Sequence, residues 1–197
     1  MITRIRSAIA LVCLSVLAAC TGIEIAGPGS FQVQKTYQVE LGKAWTALPF
    51  DARTNLQEMT IDGVLLNVLV FGVDIKDGEA LIYSADPKKL VPRFRAGMSD
   101  REIVEFLGDS LEYNGLVDVQ ISNLRPDDFP PYTGVRFNFV TDTQIGLSMN
   151  GDGKAVVVDN KLFFLLFVAP AEHYYDLHAD EVQSIFDSAR FPQSASG

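Results

Sequence analysis

Leu162-Phe163-Phe164-Leu165-Leu166-Phe167-Val168-Ala169 is an unbroken apolar run of eight residues. Eight are far too few for a membrane span, which takes about 20 in a helix. A run without polar alternation fits a central strand covered on both faces. The neighbouring segments supply the rest of such a sheet. Upstream lie a hairpin-like pair at 144–149 and 154–158, then Val135, Phe137 and Phe139 alternating with Arg136 and Asn138. Before these, Val117, Val119 and Ile121 alternate with Asp118, Gln120 and Ser122. A period of two buries one face of each strand. Downstream, Ala179, Val182, Ile185, Phe186 and Ala189 mark one face of a helix over about 178–190, with Asp180 and Glu181 suited to its positive end.

The first half reads similarly. Phe31, Val33, Tyr37, Val39 and Leu41 alternate with polar residues as one long strand, interrupted only by Lys35. A strand near 56–61 meets another at 64–73 across Asp62-Gly63, a pair favoured in two-residue hairpin turns. Asp77-Gly78 repeats the turn signal, and Leu81–Tyr83 reads as a further short strand. Ser99 followed by Glu102 is a capping-box start for a helix with Ile103, Phe106, Leu107 and Leu111 on one face, stopped by Asn114-Gly115. A long antiparallel meander with two segregated helices is an α+β fold.

The amino terminus differs from this. Arg4 and Arg6 precede a twelve-residue apolar stretch, Ala8 to Ala19, broken only by Ser15, as in a cleaved signal peptide. Leu17-Ala18-Ala19-Cys20 resembles the lipobox of bacterial lipoproteins. The resemblance implies cleavage before Cys20, acylation of its thiol and an anchor in a membrane. Several acyl chains hold a bilayer firmly where one holds it marginally. Thr21 stands where an Asp would signal inner-membrane retention in a Gram-negative host, so the expectation there is the outer membrane, facing the periplasm. Residues 21–30 hold three glycines and a proline and read, with Cys20, as a lipidated flexible tether over 20–30. The single domain is expected over 31–191, with a frayed tail at 192–197.

Setting aside residues 1–19 of the 197 leaves 178, enough for one domain with a core. Its 16 bases lose Arg4 and Arg6 while its 25 acids all remain, a net charge near −11. That balance argues against nucleic acid, whose phosphates are met by Lys and Arg. With Cys13 in the signal and Cys20 as anchor, the domain has no cysteine for a disulfide or thiolate chemistry.

The strand, hairpin, helix, meander and final helix ending Ile185-Phe186-Asp187-Ser188-Ala189-Arg190-Phe191 together resemble the Mog1/PsbP-like α/β/α sandwich. That family holds binding and assembly modules. No residue of its functional sites has a recognisable counterpart here.

Candidate chemistry is sparse. His173 and His178 are five apart, where one helical face would need four, though Glu172, Asp176 and Asp180 lie near. Ser148, Asn150, Asp152, Gly153 and Asp159 imitate a calcium loop, but strands flank them, and Asn150–Gly153 reads better as a turn. Asp127-Asp128 lies in a proline-stiffened stretch, Arg125–Tyr132, read as an acidic surface loop. Lys88, Lys89, Arg93 and Arg95 form a basic cluster suited to a solvated loop, or to anionic lipid. No Gly-x-Ser-x-Gly, Gly-x-Gly-x-x-Gly or Walker sequence is present, and no cofactor is implied. The expectation is a lipid-anchored envelope protein that binds, without catalysis, an envelope protein partner. An envelope hydrolase, or capture of a small apolar ligand between sheet and helix, are the alternatives.

Overall fold

The computed structural model describes residues 22–84 and 90–192. The signal, Cys20, Lys88, Lys89 and the tail beyond Pro192 lie outside the described residues.

The apolar run is strand β10 (Lys161–Pro170), paired on one side with β6 (Val68–Ile75) and on the other with β9 (Ser148–Val158). Around it an eight-stranded antiparallel sheet is ordered β1-β4-β5-β6-β10-β9-β8-β7. The remaining members are β1 (Glu24–Ala26), β4 (Trp45–Ala47), β5 (Leu56–Thr60), β7 (Leu116–Phe129) and β8 (Tyr132–Thr143). Helix α1 (Asp100–Tyr113) covers one face and helix α2 (Tyr174–Ser188) the other, so the fold is α+β as expected.

Alternate residues of β10 feed the two cores. Phe163, Leu165, Phe167 and Ala169 pack with Val182, Ile185 and Phe186 of α2. Leu162, Phe164 and Leu166 pack with Ile103, Val104, Phe106 and Leu107 of α1. Each of these side chains larger than alanine stabilises the fold by about 1.5–3 kcal/mol through burial. No helix among the described residues is long and apolar enough to cross a membrane.

The long strand read over 31–41 is a hairpin, β2 (Gly29–Val33) and β3 (Tyr37–Leu41). The chain reverses at Gln34 and Lys35, both at positive φ, so the lysine that interrupted the apolar face marks the turn. This hairpin forms a second small sheet on the α2 side, where Tyr37 is fully buried and donates to the Phe164 carbonyl at 3.0 Å. Burial raises the Tyr37 pKa well above the usual tyrosine range.

Residues 24–26 and 29–33, read as part of the tether or its border, are strands β1 and β2. β1 closes the sheet against β4, with Ala26 opposite Trp45. Asp62-Gly63 does not make a two-residue turn. Residues 61–67 form a wider loop held by Asn67, whose Oδ1 accepts from the Ile61 amide at 2.8 Å and the Thr60 hydroxyl at 3.0 Å. Leu81–Tyr83 is not a strand. Ser99 does make the capping box with Glu102.

Asn150–Gly153 is mid-strand in β9, not a turn. Gly151 and Gly153 lie opposite Phe139 and Phe137 of β8. A Cβ on either glycine would stand 2.1 Å from the partner ring, so each glycine gives a phenylalanine its place. The alternating Asp152 and Lys154 face α2, where polar partners meet them.

Candidate functional site

A cleft of about 290 Å³ opens between the carboxyl-terminal half of α1 and the β5–β6–β10 part of the sheet. Its floor is Leu56, Val70, Phe164 and Leu166, and its roof is Leu107 and Leu111. Leu81–Tyr83 and the Asp51–Thr54 turn complete the rim. The mixture arises from strand alternation. On β5, Gln57 and Met59 point to the α2 side, while Leu56 and Glu58 point to the α1 side, where no helix covers the end of the sheet fully.

Glu58 is the group that sets the cleft's electrostatics. Half-buried among apolar side chains, its carboxyl has no hydrogen bond or ion pair among the described residues. Desolvation raises its pKa above the ordinary glutamate value, and the Asp51 charge adds to the shift. Asp51 itself is committed. Its Oδ1 accepts from the Arg53 amide at 2.9 Å and Nε at 3.1 Å, and its Oδ2 from Nη2 at 3.1 Å. Those bonds lower the Asp51 pKa. Arg53 also lies over the Tyr83 ring, 5.3 Å from its centroid. Ser110 spends its hydroxyl hydrogen on the Phe106 carbonyl at 2.8 Å. Among the described residues the cleft thus presents one carboxyl without a partner, while Asp51 and Ser110, which also line it, are engaged.

The residues singled out from the sequence go elsewhere. Asp152 is buried under α2, accepting from the Tyr175 hydroxyl at 2.8 Å and from the Asn138 amide. It belongs to an extended strand of eleven residues, and Asp159 sits in the turn at the strand's far end. Ser148 and Asp159 are therefore separated by roughly 35 Å of extended chain. A calcium loop is incompatible with that geometry. His178 is buried, with Nε2 2.6 Å from Asp62 Oδ2, and holds the 61–67 loop to α2. His173 stands at positive φ before α2 with its ring edge-on to Tyr174. No group of three His, Cys, Asp or Glu among the described residues is arranged to hold a metal.

The acidic loop reading of Arg125–Tyr132 is corrected as well. Asp127 lies within β7 and meets Lys154 Nζ at 2.9 Å and Arg136 Nη1 at 3.6 Å. Lys154, 1% exposed, also donates to the Phe186 carbonyl at 2.9 Å. Arg136 reaches Asp187 and Gln183 of α2, both at 2.5 Å. This cluster seats α2 on the sheet. Of the basic cluster's described part, Phe94 is fully buried against Phe106, and Arg93 donates to the Gly78 carbonyl at 2.7 Å.

Sequence reasoning did not single out Glu58. Its one signal was an acid on the α1-facing side of a strand with an apolar partner, Leu56, two residues before it.

No protein-family model matches the chain. No curated protein matches it either. Among solved structures it is similar to LpqN, described as involved in cell envelope biogenesis of Mycobacterium tuberculosis. The identity is 11%, 89% of this chain and 88% of that one are covered, and the TM-score is 0.36. At those values the likeness stands as a likeness only.

Proposed function

We propose that this chain is a cell-envelope lipoprotein, anchored through Cys20, whose domain works by binding and not by catalysis. The observation that carries the binding reading is the cleft beside α1: an apolar floor with one carboxyl that has no partner among the described residues. Such a combination of apolar lining and few polar groups is what ligand sites use to hold and orient a small molecule. Catalysis is the weaker reading, because Asp51 is saturated by Arg53 and Ser110 is bonded to the helix backbone.

The anchor reading rests on Leu17-Ala18-Ala19-Cys20. The fold gives it a consequence. Gly22 lies against Pro49, close enough that a Cβ on it would stand 2.9 Å from the proline ring, and β1 follows at Glu24. Two residues reach at most about 7 Å. A lipid on Cys20 would therefore hold the Gly22–Pro49 side of the domain close to the bilayer surface.

Fractionation of the Cys20→Ala chain tests the anchor. The variant is expected in the soluble fraction or as unprocessed precursor, and the wild-type mature chain is expected to carry acyl mass on residue 20. Retention of the variant on membranes after a high-salt wash would overturn the anchor reading.

A further inference from the structure

We propose that the cleft between α1 and β5–β6 takes a small ligand bearing an ammonium group on a short apolar body. This rests on the reading of the domain as a binding module and names the ligand's chemistry. Two independent features of the cleft set the sign of the head group. Glu58 brings a carboxyl over an apolar floor with no cation to meet it among the described residues, whereas Asp51 already has Arg53. The carboxyl-terminal turn of α1 also borders the cleft through Ser110, Leu111 and Asn114. That turn is the negative end of the helix dipole, and it carries no basic side chain. An ammonium placed between them would be attracted from both sides.

The remaining chemistry fixes the body of the ligand. Leu56, Val70, Phe164 and Leu166 below and Leu107 and Leu111 above offer only dispersion and burial. At about 290 Å³ the space lies at the small end of ligand pockets, which run from about 300 Å³ upward. A compact amine fits that size, and a peptide helix does not. The raised pKa of Glu58 agrees with this arrangement: the carboxylate is held at a cost that a bound cation would relieve.

The test uses the full chain in detergent with ¹³C-labelled leucine and valine methyl groups, titrated at pH 7 with hexylammonium, hexanol and hexanoate. Hexylammonium is expected to shift the methyl signals of Leu56, Val70, Leu107 and Leu111 and to leave that of the distant, exposed Leu65 unmoved. A charge-assisted hydrogen bond should make it bind about tenfold tighter than hexanol, and hexanoate should bind weakest. Glu58→Gln should reduce hexylammonium to the level of hexanol and leave hexanol unchanged. Leu111→Trp, which fills the cleft and keeps the carboxyl, should abolish binding of all three. Equal binding of the three probes, a preference that survives Glu58→Gln, or binding that survives Leu111→Trp would each overturn the proposal. So would the absence of any shift at these methyls. None of those outcomes bears on the fractionation of Cys20→Ala, which reads the anchor and not the cleft.

Discussion

The ring of Phe164 occupies the place where a side chain on Gly72 would stand. The two residues face each other across β10 and β6, and a Cβ added to Gly72 would come within 2.0 Å of the ring. Gly72→Ala therefore forces the ring out of the α1 core or shifts the central strand pair. Overpacking of this kind costs about 1–3 kcal/mol. Thermal or urea melts should show that loss, and Phe164→Leu in the same chain should recover part of it. Gly97→Ala is the control: nothing lies within 4 Å of a Cβ there, and stability should change by less than about 0.5 kcal/mol.

Lys154 and Asp127 make a second test, of opposite character. The lysine is almost wholly buried, so its charge depends on Asp127 at 2.9 Å, with help from the Phe186 carbonyl. Asp127→Asn leaves that charge under α2 without its counter-ion, and removal of one member of a buried pair costs about 3 kcal/mol or more. Lys154→Met added to Asp127→Asn should restore most of the loss, since an apolar side chain of similar length suits the site near Phe129 and Phe186. If the double variant is less stable than Asp127→Asn alone, the ion pair is not what makes the single change costly.

These two relationships also explain what could and could not be read before the fold was seen. The run Leu162–Ala169 was legible as a central strand because both of its neighbouring layers demand apolar residues. The start of α1 was legible because a capping box is local. Asn150-Gly151-Asp152-Gly153 was misread because its glycines answer to rings on another strand, Phe137 and Phe139, and its acid to Tyr175 and Asn138. Local turn chemistry and long-range packing favour the same residue types there. Lys35 misled in the reverse direction, as a turn residue inside what looked like one alternating strand. Glu58 could not be read at all, because its meaning depends on where α1 stops covering the sheet.

The capping box gives a prediction with a pH dependence. Glu102 accepts from the Ser99 amide and hydroxyl, each at 2.8 Å, and these bonds hold its pKa below the usual glutamate range. A folded value lower than the unfolded one means the contribution is present above the unfolded value, about 4.3, and is lost as pH falls through the folded value. Loss of the N-cap hydroxyl in Ser99→Ala should cost about 1 kcal/mol near neutral pH. The difference in melting temperature from wild type should narrow in acid as Glu102 takes up its proton in both chains. A gap that stays constant down to pH 3 would mean that Glu102 contributes nothing through Ser99.

Glu58 predicts the opposite sign. Its folded pKa is raised, by burial first and by Asp51 second, so the unfolded chain releases the proton at a lower pH than the folded one. Between those two values the native state binds more protons, and stability falls as pH rises through the unfolded value, about 4.3, toward the folded one. Above that window the ionised carboxylate remains a standing cost to the fold. Glu58→Gln removes it, so the variant should melt close to wild type at pH 4 and above wild type at pH 7. A residue that lowers stability near neutral pH is a feature that function retains more readily than folding does. Hexylammonium should raise the wild-type melting temperature at pH 7 and leave that of Glu58→Gln nearly unchanged, because binding to the folded state alone shifts stability in proportion to occupancy. If Glu58→Gln melts below wild type at pH 7, the carboxylate is satisfied in the folded protein, and the cleft has no unmet charge for a ligand to answer.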